Sequence, residues 1–491
     1  MHYRTDMNPF LRLLLPLLCA CGAASAADLV DRAYLQAPAL EIAKDDVERD
    51  QQEGRLIEAR KEHFQRFSKS LPEGAPYLRI ADGVVADASN RVVYVWAWSS
   101  HMGPGEPVEF FLSSIRGGRQ YESSFVTDAR PSDVDAALRH IGLTPGWPFD
   151  MAGKQLWPKG DRVRVEVLRA GADGAVQAPV RIEASCTDHI KEGPAGPYSH
   201  VFVGSARVPD PADPSRMVYA ADEFDPVSIS SNFNLVNTVL DLPERRAKTA
   251  VYGQMTLAHP PLARPFQNVI ITLRPDPDFP PGSIPTLRLA VGGEPGRIAL
   301  SVTGPAAPVE GSLDELARLL TAAKNGARLA HLSLDLLKGN TLTVAQVASV
   351  AARLQQAEEE GLVRIDPPPA GQLYYRAWIP DPTLLERKGR TIQPWEAHLT
   401  FGAQGGAGHL VMIEETWRED AIEPDLHETR VPLDGPDSLA EKARGMADAK
   451  PAVLLVFVPA DTSAAAVLGF LLKVEPLFPV IYVFGGAPAA P

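Results

Sequence analysis

The sequence predicts an α+β, multidomain chain, with a β-rich N-terminal domain followed by duplicated β-β-α-β-α-β units. Three observations lead there. Between residues 73 and 243, short segments rich in β-branched and aromatic residues alternate apolar with polar: RVVYVWAW (91–98), VEFFLSSI (108–115), ESSFVT (122–127) and RVRVEVL (162–168). A period of two marks strands of a sheet with one wet face. Further on, SLDELARLLTAAK, from Ser312, returns as SLAEKARGMADAK, from Ser438, with seven of the thirteen positions identical. Finally, 491 residues are enough for about two to four domains, each with its own core.

The first element is an export signal. Arg4 and Arg12 flank a polar start, Leu13 to Ala24 is apolar, and Ala24-Ser25-Ala26 suits signal peptidase. Residues 1–26 are therefore expected to be removed. A second reading is a lipobox, Leu18-Cys19-Ala20-Cys21, with Cys21 carrying the lipid. Either route places the chain outside the cytoplasm, in a periplasm or held at its membrane as a lipoprotein. Of the three cysteines, Cys186 alone falls beyond this segment. One thiol cannot form an internal disulfide, a cysteine-rich zinc site or an iron–sulfur cluster. A net charge of -13, with no basic patch, argues against nucleic acid and anionic membrane surfaces as partners. No later apolar run is long enough to span a bilayer.

Residues 28–72 read as a charged helical spacer, with Ile57, Phe64, Phe67 and Leu71 on a thin apolar stripe. Within the β-rich domain, PSDVDAALRHIG interrupts the strands. Pro131 punctuates the chain, Asp128 or Ser132 is expected to cap a helix, and Val134, Ala137, Leu138 and Ile141 form its buried stripe. Gly142 suits the left-handed position that closes it. The C-terminal units are expected at 262–375 and 390–488, each helix headed by its serine. DPPPAG (366–371) joins them, and GAQGGAG (402–408) reads as a hairpin.

CTDHIKEG (186–193) is the best chemical candidate, with Cys186 as nucleophile and His189 as base. Strand alternation, however, turns Cys186 and Asp188 to one face and His189 to the other. His189, His200 and Glu192 match no strong metal-ligand spacing. No metal or other cofactor is expected. Trp96 and Trp98 share a strand face, as core or as a stacking platform. Neither a phosphate loop nor a nucleophile elbow is present.

YESSFVTDARPSDVDAALRHIGLTPG (121–146), GDRVRVEV, HVFVGSARV, VYAAD (218–222) and ISSNFNLVNTVLDLP (229–243) resemble, in order, the blocks of the YdjY-like domain of bacterial secreted proteins. The resemblance spans roughly 78–243 and implies a fold unit and an envelope address, not a reaction. Because Glu122, Ser123 or Ser124, and Asp222 fall in those blocks, they are carried as binding candidates. The element order of the C-terminal repeats resembles the periplasmic domain of ExbD/TolR-type proteins. Those work through a transmembrane helix absent here, so only a binding scaffold is implied. The expected function is an exported envelope binding or scaffolding protein, with a protein or small ligand as partner. The alternative is an envelope hydrolase using Cys186/His189 or the Glu122 region.

Overall fold

The computed structural model describes residues 30–37, 43, 45–71, 77–147, 157–189, 192–210, 212–223, 228–231, 238–240, 255–294, 297–336, 341–368, 373–379, 394–402, 405–416, 425–445, 453–478 and 480–485. Residues 1–26, expected to be an export signal, lie outside them, Cys21 included. The described residues within Met1–Trp147, Gly160–Leu240 and Ala250–Asp278 form one compact unit, and those within Pro148–Lys159, Asp241–Thr249 and Phe279–Pro491 form a second. The mixed α+β class is as expected. No helix among the described residues is long and apolar enough to cross a membrane.

The first unit begins with helices α1 (Arg32–Leu35) and α2 (Asp46–Ser70). Strands β1 (Tyr77–Ala81), β2 (Val84–Asp87), β3 (Val92–Ser99), β4 (Phe110–Ser114) and β5 (Ser123–Thr127) lead to α3 (Pro131–His140). Then come β6 (Arg162–Leu168), β7 (Val180–Arg181), β8 (Cys186–Asp188), β9 (Gly193–Pro194), β10 (His200–Phe202), β11 (Arg207–Pro209) and β12 (Met217–Tyr219). Helix α4 (Ala220–Glu223), β13 (Ser228–Ser231), β14 (Thr238–Leu240), β15 (Met255–Leu257) and β16 (Asn268–Pro275) complete it. The main sheet runs β1-β2-β3-β16-β6-β10-β14-β13-β4-β5, and β5 pairs back onto β3, closing eight strands into a ring.

That closure corrects two expectations. Strand β16 was expected in the next domain, beyond a boundary at 243. Instead it lies between β3 and β6, with Ile270 opposite both Trp96 and Leu168. Buried on both faces, NVIITL has no alternation to announce a sheet strand. Helix α2 is likewise no spacer. Phe64 stands edge-on to Trp96 with centroids 5.0 Å apart, and Phe67 is 5.3 Å from the same ring. The Arg60 guanidinium lies 4.4 Å over Trp98. Trp96 and Trp98 do share a face, which α1 and α2 cover.

Helix α3 corrects the capping expectation. Its N-cap position is Arg130, which makes no side-chain cap bond. The Ser132 amide donates instead to Asp222 Oδ1 of α4, at 2.9 Å. The other end is as read: Gly142 has φ +81, its amide donates to Arg139 O, and Leu143 N donates to Leu138 O, the paired bonds of a Schellman close.

In the second unit, β17 (Thr286–Glu294), β18 (Arg297–Thr303), β19 (Val309–Ser312), α5 (Leu316–Ala323), β20 (His331–Asp335), α6 (Val344–Glu359) and β21 (Arg364–Ile365) form a sheet ordered β19-β18-β17-β20-β21. After β22 (Trp378–Ile379) come β23 (Trp395–Gly402), β24 (Gly405–Thr416), β25 (Asp425–Leu433), α7 (Pro436–Gly445), β26 (Val453–Val458), α8 (Ala464–Val474) and β27 (Val480–Gly485). Their sheet is ordered β22-β27-β26-β23-β24-β25. Each series holds three strands before its first helix, where two were expected. The extra strands, β19 and β25, lie at sheet edges and carry charge or proline, Glu310 in one and Arg430 and Pro432 in the other, as edges commonly do. Strands β23 and β24, on either side of the glycine run, do pair antiparallel out to Gly402 and Gly405. Ser312 heads its helical turn in a capping box with Glu315. Ser438 does not head α7: it sits inside the helix, where its hydroxyl donates to Gly435 O and accepts from Asp434 N. One hydrophobic cluster runs through both sheets.

Candidate functional site

A short helical turn, Ile182–Ser185, delivers β8 into the first unit with Glu183, Ser185, Cys186 and Asp188 each 1% exposed. Cys186 Sγ is 3.6 Å from Ser124 Oγ and 3.5 Å from Ser185 Oγ, and Ser185 Oγ donates to Ser124 Oγ at 3.1 Å. Burial pushes the thiol up to about 11, away from the thiolate that a nucleophile needs. His189 is exposed, its Nε2 3.0 Å from Thr256 Oγ1 on β15. The proposed pair is therefore split as strand alternation requires: Cys186 faces hydroxyls inside, and His189 faces out.

The imidazole nearer this buried cluster is His200, on β10. It is 1% exposed, with Nε2 3.5 Å from Glu183 Oε2. Glu183 Oε1 accepts from Tyr198 N at 2.9 Å, and Tyr198 Oη donates to Asp188 Oδ2 at 2.6 Å. Burial pushes the Glu183 carboxyl up, but His200 and the Tyr198 amide outweigh it and hold the group below its ordinary range. Gly196, at φ +90, is required here, because a Cβ would stand 2.5 Å from Glu183 Cγ. Sequence reasoning missed Glu183 and Tyr198. In VRIEAS the glutamate sits where alternation assigns the wet face, and only the turn brings it inward.

The remaining candidates go to separate places. Glu122, 4% exposed, pairs with Arg119 Nη1 at 3.1 Å. Ser123 Oγ donates to Arg119 O at 2.6 Å and lies 2.7 Å from Ser113 Oγ. Ser124 belongs to the Cys186 cluster, and Asp222 to the start of α3. The structure thus joins Ser124 with Cys186, not Glu122 and Ser124 with Asp222. Glu192 is exposed, with φ +53. Among the described residues, no group of three or more His, Cys, Asp or Glu side chains is placed to hold a metal ion.

The second unit has its own polar centre. Glu358 is fully buried and accepts from Trp157 Nε1 at 2.6 Å, Arg376 Nη2 at 2.7 Å and the Tyr375 hydroxyl. Arg364 lies 3.5 Å over the Trp157 ring. Nearby, Asp366 binds Lys159 Nζ at 2.7 Å and His331 Nδ1 at 3.2 Å. An open groove of about 670 Å³ runs over β17, β18 and β19, floored by small side chains such as Ala290, Ala299 and Ser301, with Glu310 beside it.

These features define a strand-ring unit and a two-sheet α+β unit, each with a closed polar centre. The chain matches no protein-family model and no curated protein.

Proposed function

We propose that this chain is an exported cell-envelope protein that binds or scaffolds other envelope components. Residues 73–243 are read as a YdjY-like domain and the α+β modules as two copies of one unit. The order third-second-first-fourth-fifth strand, which recurs in both sheets, supports the duplication. The observation that carries the binding reading is the state of Cys186. A thiol packed among hydroxyls and pushed up to about 11, with His189 turned to Thr256, builds a core rather than attacking a substrate. The mature chain starts at Ala27 in this reading, or at a lipid-bearing Cys21.

The test uses purified mature protein mixed with isolated peptidoglycan and with envelope membranes. Co-sedimentation with one fraction, without release of soluble fragments, supports the proposal. Release of fragments that is lost in Cys186→Ala supports the hydrolase alternative instead. The mass of the N-terminal peptide from cells separates the Ala27 start from a lipidated Cys21.

A further inference from the structure

We infer that the space between the N-terminal helices and the strand ring binds a small organic carboxylate with an apolar body. The space is a cavity of about 260 Å³, just below the range of drug-sized pockets. One wall is a single face of α2, on which Leu56, Ala59, Arg60, His63 and Arg66 follow at helical spacing. The facing wall brings Tyr34 from α1, and Phe266 and Asn268 from the start of β16.

The charge on that wall is one-sided. Arg60 is only 8% exposed. Its Nε donates to Asn268 Oδ1 at 2.7 Å and its Nη2 to Phe266 O at 2.8 Å, both neutral acceptors. Its Nη1 is buried with no hydrogen-bond partner, and Glu53 acts on the guanidinium through space. Arg66 is exposed at the rim and makes no ion pair among the described residues. His63 faces a carboxylate, Asp31, with Nε2 2.7 Å from Oδ2, and Asp31 Oδ1 is already taken by Tyr34 N. The Arg60 guanidinium lies over Trp98 and bonds only neutral acceptors, so part of its desolvation cost remains, and an anion at this wall offsets it through space. Arg66 can take a planar carboxylate on two parallel bonds, while Leu56, Phe266 and the Tyr34 ring meet the apolar body. The α2 amides are spent on helix bonds, so the wall lacks the convergent N–H groups that favour phosphate.

The experiment is calorimetric titration of the chain from Ala27 onward, at low ionic strength, with benzoate and hexanoate and with their neutral amides. One of the acids is expected to bind, with its amide at least about tenfold weaker, because a hydrogen bond to a charged group is worth that much. Arg66→Gln, at an exposed position, should weaken the acid about tenfold, and Ala59→Leu, which fills the space, should abolish it. Equal binding of acid and amide overturns the inference. So does binding unchanged in both variants, which places the acid elsewhere, and so does no binding of either acid up to about 10 mM.

Discussion

Thr343 and Ser463, the residues that begin α6 and α8, face each other across an isolated antiparallel bridge. Val344 N donates to Thr462 O at 2.9 Å, and Ala464 N donates to Leu342 O at 3.0 Å. Each helix thus uses its partner's strand-like lead-in to satisfy a first-turn amide that has no acceptor of its own. Thr343 adds a capping box with Gln346, while Ser463 makes no side-chain cap bond.

Bridged antiparallel residues stand about 4.5–5.5 Å apart at Cα, within the span of a disulfide. The double variant Thr343→Cys, Ser463→Cys should therefore oxidise readily, with loss of two hydrogens by intact mass. Closing this long loop should raise stability by about 2–4 kcal/mol, less about 1 kcal/mol for the lost Thr343 cap. Failure to form the bond under mild oxidation would show that the seam is not held as described.

Glu358 is the acceptor on which Trp157, Tyr375 and Arg376 converge. Glu358→Ala takes the carboxylate from the half-buried Arg376 guanidinium and the shared acceptor from Trp157 and Tyr375, and should cost about 3–5 kcal/mol in urea unfolding. Glu358→Gln keeps an acceptor and should cost less. Trp157 fluorescence should change in both, because its indole N–H loses a charged partner.

Asp366 governs part of the acid limb. Burial pushes its carboxyl up, but His331 and Lys159 beside it outweigh that and hold it below its ordinary range. A depressed carboxyl contributes stability that is complete above its unfolded value, near 3.9, and is lost as pH falls through the folded one. Asp366→Asn should flatten the pH dependence of stability below about pH 4. An acid limb identical to that of the wild type would refute this.

Periodicity made α3, its glycine close and the alternating β6 readable, because each obeys one local rule. What escaped depends on distant residues. Strand β16 shows no alternation, since both of its faces are covered. Strand β25 reads as polar loop because an edge strand is charged on purpose. Arg60 and His63 looked like solvent-facing charge on a spacer, yet Trp98 and Asp31, each at least thirty positions away, turn them inward. Cys186 was legible as a residue of interest, and strand alternation already separated it from His189. Of its true surroundings, Ser124 and His200 come from other strands of the same unit, and Glu183 is turned inward by the short helical turn just before it.

His409 and His398 sit opposite each other on β24 and β23, their rings 4.9 Å apart and nearly parallel. Phe457 and Phe484 continue the stack at the same spacing. Burial, then His398 and Arg430, lower the His409 imidazole below its usual value. A lowered histidine contributes stability that is full above the unfolded value, about 6.5, and is lost as pH falls through the folded one. His409→Phe extends the ring stack without a titrating group. It should remove part of the stability loss between about pH 7 and pH 5, measured by thermal midpoints across that range. A pH profile parallel to that of the wild type would count against the coupling.

The thiol of Cys186 offers a test of whether this unit is closed. A buried thiol pushed up to about 11 is almost wholly protonated at neutral pH, and alkylating or disulfide reagents act on the thiolate. In native protein, labelling by a thiol reagent at pH 8 should therefore be slow and limited by opening of the fold, whereas unfolded protein should label at once. Raising pH from 7 to 9 speeds labelling of an exposed thiol through thiolate formation, and where opening of the fold limits the rate at a buried one this gain should be lost. Cys186→Ser places a hydroxyl among the hydroxyls of Ser124 and Ser185 and should remain folded, with a loss of about 1–2 kcal/mol for burying a more polar group. Rapid stoichiometric labelling of the native chain, faster than a free thiol, would instead mean an activated and accessible nucleophile and would return the hydrolase reading to first place.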